Sequence, residues 1–456
     1  MASLSPIVLS PTVFLALMGK LRGHDRTQPT PDFAWKTATV DVVVPAKNEE
    51  TLVALCLASI LEQDFPVRRI TVVDDGSTDR TAELVGDWQE LSGGRIELVR
   101  REKSIGKTPS IREVAQATDA DAIVVVDADT VLSDRNYISR LVEELFKNAG
   151  VASACGEVMP LGRKKCRAMV KADPRIGKVT ARFGIDFYKR RGLVRSLRDG
   201  LTYIYRSALY IFLQRFLYDG HLKLFGSRLN PIGCAVAYKT GRLRECFAYA
   251  EPRMGDNMSA SEDIFIGHFF TWKGWRNVQV NGIRCESLEP SVERLPRQLY
   301  LWSSSFFQTQ YFFPEMPLSL FKQVKRLFRL GRKDPGAERR RIQEQYRAPW
   351  GERYTQRFGR PLGVVDLMSL LEKVCYPLVL VYLLVVEPDA ALLTVAAEAT
   401  LATAGVFLCA RSGERFQAAA MMAAATPIRL MSLGVDLVTL SKYLADMATG
   451  NRNWRK

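Results

Sequence analysis

The chain has 456 residues, of which 47% are hydrophobic and 25% charged, and a formal charge of +15. That length and apolar content exclude a disordered chain and a small disulfide-stapled module, and leave room for more than one structural unit. The charge is uneven: Arg163–Arg228 holds 17 Lys/Arg against four Asp, Lys322–Arg360 is a second basic block, and long apolar stretches take over from Gly363. Such blocks beside apolar spans indicate an anionic membrane surface and not nucleic acid, for which no recognition module is present.

In chain order, Leu4–Met18 is apolar and precedes Lys20, Arg22 and Arg26. It is short for a span of roughly 20 residues, and reads as a membrane anchor or a surface-lying helix within residues 1–35. From Val40 the pattern is α/β. Strands are expected at Asp41–Pro45, Arg69–Val73, Ile96–Arg100 and Ala122–Val126, with helices between them, followed by strands at Val151–Met159 and Asn230–Lys239. Strands alternating with helices predict a mainly parallel sheet over residues 36–305. An aromatic run (Phe306, Phe307, Tyr311, Phe312, Phe313) then leads to Leu320, Phe321, Val324 and Phe328, interleaved with Lys322, Lys325, Arg326 and Arg329. This spacing predicts interfacial amphipathic helices over 306–362, or a core-packing helix with a solvated face. Val364–Val386 and Ala390–Ala410 are expected membrane spans within 363–450, with Glu372 and Lys373 placed to pair or snorkel. Pro427, Arg429 and Asp436 interrupt a third stretch, Ala418–Leu440, which is expected to lie in-plane or re-enter, leaving the basic tail 451–456 cytosolic. The eight cysteines form no C-x-x-C pair and share no ligand spacing with the three histidines, which counts against zinc and a secreted disulfide framework.

Two apolar strands end in acids: Val72-Val73-Asp74-Asp75-Gly76-Ser77-Thr78-Asp79 and Val124-Val125-Val126-Asp127-Ala128-Asp129. Carboxylates at strand ends face the crevice where open α/β sheets bind ligands. Hard oxygens of this kind suit Mg²⁺ or Mn²⁺ held together with a diphosphate, although a lone D-x-D is more often a pair of solvated turn residues. Downstream, Ser261-Glu262-Asp263 opens an apolar helical stretch, where helix-start N–H groups would hold a carboxylate ionised. Asp263 is either a general base for a hydroxyl or an ordinary cap.

Together with Val43-Val44-Pro45-Ala46-Lys47-Asn48-Glu49-Glu50 and Gly106-Lys107, these motifs resemble family-2 glycosyltransferases of the GT-A fold over about residues 40–305. The resemblance implies an α/β GT-A domain followed by a helical interfacial and transmembrane region. It further implies that Asp75 contacts uracil, Glu49 the nucleoside region and Lys107 the phosphates. Asp127 and Asp129 would hold a UDP-sugar and its metal, with Asp129 as the metal ligand and Asp263 as the base. Membrane-embedded members of the hyaluronan, chitin and cellulose synthase kind add a Q-x-x-R-W motif. Here Gln298 and Trp302 are in place, but the arginine is Leu301, with Arg294, Arg297 or Arg455 as replacements. Arg452-x-Trp454-Arg455 is similar to the segment that closes over the nucleotide in these synthases.

The implied reaction is inverting transfer from a UDP-sugar to a saccharide or glycolipid acceptor among membrane lipids, without nucleic acid. The expected setting is a multi-pass protein of a bacterial inner membrane with a cytoplasmic catalytic domain. Single transfer to a lipid and a catalytically inactive synthase partner are the alternatives.

Overall fold

The computed structural model describes residues 10–22, 31–189, 192–255, 261–319 and 362–451. Its strands are β1 (Val40–Ala46), β2 (Arg69–Asp74), β3 (Ile96–Arg100), β4 (Ala122–Val126), β5 (Thr130–Leu132), β6 (Val151–Pro160), β7 (Ala235–Lys239) and β8 (Arg276–Ser287). They form one sheet in the order β3-β2-β1-β4-β7-β6-β8-β5. The pairs β2–β3, β1–β2, β1–β4 and β6–β8 are parallel, while β7 runs antiparallel to β4 and β6, and β5 antiparallel to β8. The sheet is thus mostly parallel but mixed. Helices cover both faces, which is why β1 and β4 are nearly continuous valine-rich runs and not alternating ones.

Strand order places the crevice. From β1 the chain winds outward through β2 and β3, then returns to lay β4 on the other side of β1. The carboxyl ends of β1 and β4 diverge at that switch point, and open sheets bind ligands there.

The helices in chain order are α1 (Pro11–Arg22), α2 (Val53–Leu61), α3 (Thr81–Leu91), α4 (Lys107–Ala117), α5 (Tyr137–Phe146), α6 (Arg163–Ala172), α7 (Pro174–Arg182) and α8 (Leu193–Phe212). After a π-helical turn at Leu213–Tyr218 come α9 (Asp219–Phe225), α10 (Thr240–Met254), α11 (Glu262–Lys273) and α12 (Leu295–Phe312). α1 lies on α9 so closely that a Cβ on Gly220 would sit 2.3 Å from the Ala16 carbonyl oxygen. Glycine is required at that contact. The outward face of α1 carries exposed Phe14, Leu17, Met18 and Leu21.

The last helices are α13 (Gly363–Val386), α14 (Pro388–Cys409), α15 (Arg415–Ala424) and α16 (Thr426–Thr449). α13 and α14 are each long and apolar enough to cross a membrane, whereas α15 and α16 pass that test only as a pair bent by 51°. The bend falls where Pro427 opens α16, a position at which proline loses no helical hydrogen bond. Glu372 and Lys373 do not pair with each other. Glu372 accepts from the Thr12 amide (2.8 Å) and hydroxyl (2.9 Å), while Lys373 meets Asp436 at 2.7 Å. Arg429 meets Glu398 of α14. The charges that interrupt the third apolar stretch are therefore the partners of charges in the first two.

Other expectations shift. The strand expected from Asn230 begins at Ala235, because residues 230–234 form a turn into the crevice. Most of the aromatic run packs inward: Phe306, Phe307 and Phe313 are buried, with Phe313 on Phe265, Phe269 and Trp272, while Tyr311 is exposed. The amphipathic segment from Leu320 to Arg329 and the tail containing Arg452, Trp454 and Arg455 lie outside the described residues.

Candidate active site

The three parallel strands β2, β1 and β4 deliver their following loops to one edge of the sheet. After β1, Asn48 turns the chain with φ 56°, a left-handed conformation that asparagine tolerates. Its Oδ1 accepts from the Thr78 amide at 2.8 Å, and the Glu49 amide donates to Thr81 Oγ1 at 2.8 Å. These bonds lace the first loop to the second and hold Glu49 over the crevice. After β2, Asp75 accepts from Arg101 Nη1 (2.9 Å), Ser104 Oγ (2.6 Å) and the amides of Ile105 (2.9 Å) and Gly106 (2.8 Å). Burial alone would raise its pKa, but these donors together hold the carboxyl below the usual carboxylate range. Asp75 thus shapes the loop that starts α4.

That loop sets Lys107 as the first residue of α4. Its ammonium lies 2.6 Å from Asp127 Oδ1 and 2.6 Å from Glu262 Oε1, and donates to the Gly233 carbonyl at 3.4 Å. Expected at the phosphates, it sits in this structure between the D-x-D acid and the acid opening α11. Asp127 is fixed through its amide, which donates to the Cys234 carbonyl at 2.8 Å. Asp129 Oδ1 accepts from Thr130 Oγ1 (3.1 Å) and Ser287 Oγ (3.4 Å), so β8 supports it from the far side.

Asp263 Oδ2 accepts from the Gly233 amide at 3.0 Å. A Cβ on Gly233 would come within 2.8 Å of Asp263, so glycine is needed for this approach. The helix start was expected to hold Asp263 ionised. Instead its pKa is raised, because burial and then the charge of Glu262 outweigh the amides. Burial, then Asp129 and Asp127, push Glu49 up to about 8. Burial pushes Asp127 to about 7, with Asp129 and Glu262 adding to the rise and Lys107 opposing it. Asp129 is likewise raised by burial. Crowded carboxylates that raise one another favour a bound cation.

Asp127 and Asp129 offer hard carboxylate oxygens of the kind a divalent ion takes, although Lys107 sits against one oxygen of Asp127. No group of three or more His, Cys, Asp or Glu among the described residues could hold a metal by itself. The remaining ligands would be substrate oxygens or water, as is usual for Mg²⁺ with phosphates.

Gln298 and Trp302 lie one turn apart on α12. Both contact Arg206 of α8: an Nη2 of Arg206 donates to Gln298 Oε1, and the guanidinium lies 4.4 Å from the Trp302 ring centroid. Arg206 is fully buried, and its Nε is 3.2 Å from Glu289 Oε2. Arg294 and Arg297, the described replacements suggested by the sequence, are exposed. Two residues of this region, Glu289 and Arg206, were not singled out by the sequence, and Glu262 was quoted in its motif without a role. For Arg206 a signal existed, a lone cation in the stretch Tyr205 to Phe212 of α8.

Residues 41–191 match the model of glycosyl transferase family 2. An N-acetylglucosaminyltransferase of Azorhizobium caulinodans is 34% identical over 132 residues, covering 28% of this chain and 32% of that one. A poly-beta-1,6-N-acetyl-D-glucosamine synthase of Staphylococcus epidermidis is 26% identical over 117 residues, covering 26% of this chain and 28% of that one. The chain thus spans about a third of the length of these curated relatives. A solved mannosyltransferase of Pyrobaculum calidifontis, in complex with GDP-Man and Mn²⁺, aligns over 95% of both chains with TM-score 0.47 and 17% identity.

Proposed function

We propose, from the match of residues 41–191 to the glycosyl transferase family 2 model, that the chain is a membrane-anchored inverting glycosyltransferase. It moves a sugar from a UDP-sugar to a saccharide acceptor, giving a β-linked oligosaccharide or polysaccharide. The observation that carries this reading is the meeting of Lys107, Asp127 and Glu262 within 2.6 Å contacts at the switch point, with Asp263 on the adjoining turn.

Each group has a distinct part. Glu49 and Asp75 shape the nucleoside side. Asp129, with Asp127, holds the metal-bound donor. These two residues would hold Mg²⁺ or Mn²⁺, which would offset the charge of the departing diphosphate. Lys107 places a positive charge beside the same acids. Asp263 takes the proton from the acceptor hydroxyl as that oxygen attacks the anomeric carbon, and its raised pKa makes it a stronger base than an ordinary carboxylate. A single displacement inverts the anomeric centre, so an α-linked donor gives a β product. Gln298 and Trp302 border the acceptor side.

α13 and α14 are read as membrane spans, with the outward face of α1 against lipid and the catalytic domain on the cytoplasmic side. That apolar face beside the catalytic domain also favours a second reading, transfer of one sugar to a lipid acceptor. Membranes bearing the protein, given a panel of UDP-sugars, test both. UDP-N-acetylglucosamine is the first donor to try, because the relatives named above carry that sugar in their names. A β-linked product supports the reading, its mass separates polymer from glycolipid, and retention of the donor's anomeric configuration would overturn it.

A further inference from the structure

We propose that Arg206 contacts the substrate, its guanidinium taking an oxygen of the donor diphosphate from a position that replaces the cation missing at Leu301. The proposal rests on the UDP-sugar reading above.

Four observations converge on it. Arg206 is fully buried, yet its Nη1 has no hydrogen-bond partner among the described residues. A buried donor left without an acceptor is costly, and an oxygen brought by a ligand would relieve that cost. The same guanidinium engages both remaining residues of the motif, Gln298 and Trp302, across from α12. The cluster also abuts the metal-binding acids: Asp129 accepts from the Leu288 amide at 3.2 Å through its carbonyl, and Glu289 is the next residue. Gln298 holds Nη2, while Glu289 Oε2 lies 3.2 Å from Nε as an ion pair without making a hydrogen bond, so Nη1 and Nε are both left for the incoming group. Among the reactants of this transfer the diphosphate is the strongest anion, and a planar guanidinium matches phosphate oxygens well.

Titration of the full chain in detergent with UDP and with uridine tests the assignment. Arg206→Ala should weaken UDP roughly ten- to a hundredfold, the scale of one charge-assisted contact, and leave uridine unchanged. Adding Leu301→Arg to that variant should recover most of the loss. Arg206→Lys keeps a positive charge opposite Glu289 and serves if the alanine variant does not fold; it should show a smaller loss, again confined to UDP. Equal weakening of UDP and uridine would make Arg206 a scaffold residue and overturn the proposal. Unchanged UDP affinity would overturn it as well. If the unaltered protein binds neither UDP nor uridine, the UDP-sugar reading itself fails, and the proposal with it.

Discussion

In the proposed reaction Asp263 handles a proton and Asp129 a metal, and the two roles separate experimentally. Asp263→Asn keeps the bond to the Gly233 amide, which an amide oxygen accepts as well as a carboxylate. It should therefore preserve UDP-sugar binding and lower turnover by roughly 10²-fold or more, the scale of a lost general base. An unchanged rate would make Asp263 a helix cap. Asp129→Ala should abolish the dependence of UDP affinity on Mn²⁺, read by titration with and without chelator. Persistence of that dependence would assign the ion to other groups. Asp127, Asp129 and Asp263 were legible because each ends a strand or opens a helix within a spaced motif. Glu289 was not, since nothing local marks it: it becomes meaningful only when the end of β8 is laid beside Asp129 by the β5–β8 pairing. Arg206 was hidden for the same reason, its partners lying 83 residues or more further along the chain.

Helix α9 illustrates how an unremarkable segment supports its neighbours. His221 is buried there, with its Nε2 2.9 Å from the Thr12 carbonyl of α1. A carbonyl only accepts, so Nε2 carries the hydrogen. Burial, aided by Arg228, depresses the pKa of His221 from its ordinary 6.5 to about 4. Between these values the unfolded chain binds the extra proton and the folded chain does not, so stability rises with pH across that window and is lost on acidification. Across the whole window the effect approaches ~3 kcal/mol. His221→Gln should flatten the dependence of Tm on pH between 4 and 6.5; an unaltered slope would assign acid sensitivity to other groups. β1, β2 and β4 were readable because buried parallel strands are uniform apolar runs. β8 was missed because Arg276, Asn277, Gln279 and Asn281 break its pattern, although Asn277 and Gln279 are buried and donate to the carbonyls of Gly267 in α11 and Gln214 in the π-helical turn.

The assembled molecule joins a sheet domain to helices suited to lipid. The protein should sediment with membranes and resist extraction by alkaline carbonate; release under those conditions would confine it to the surface. The two spans were legible from length and hydropathy, within two residues at each start. The third stretch was ambiguous because its charges mean nothing until their partners are known. Lys373, Asp436 and Ser303 make those partners concrete: Ser303 donates to Asp436 at 2.6 Å and directly follows Trp302. Removing one charge alone strands the other in a buried site, at about 3–5 kcal/mol, whereas replacing both with apolar residues of similar size is often neutral. Lys373→Met and Asp436→Leu should each lower Tm sharply, and the double variant should regain most of it. The consequence is historical as much as mechanical. Neither position can drift by itself, so these two sites, 63 residues apart, are expected to change together across descendants of this chain or not at all.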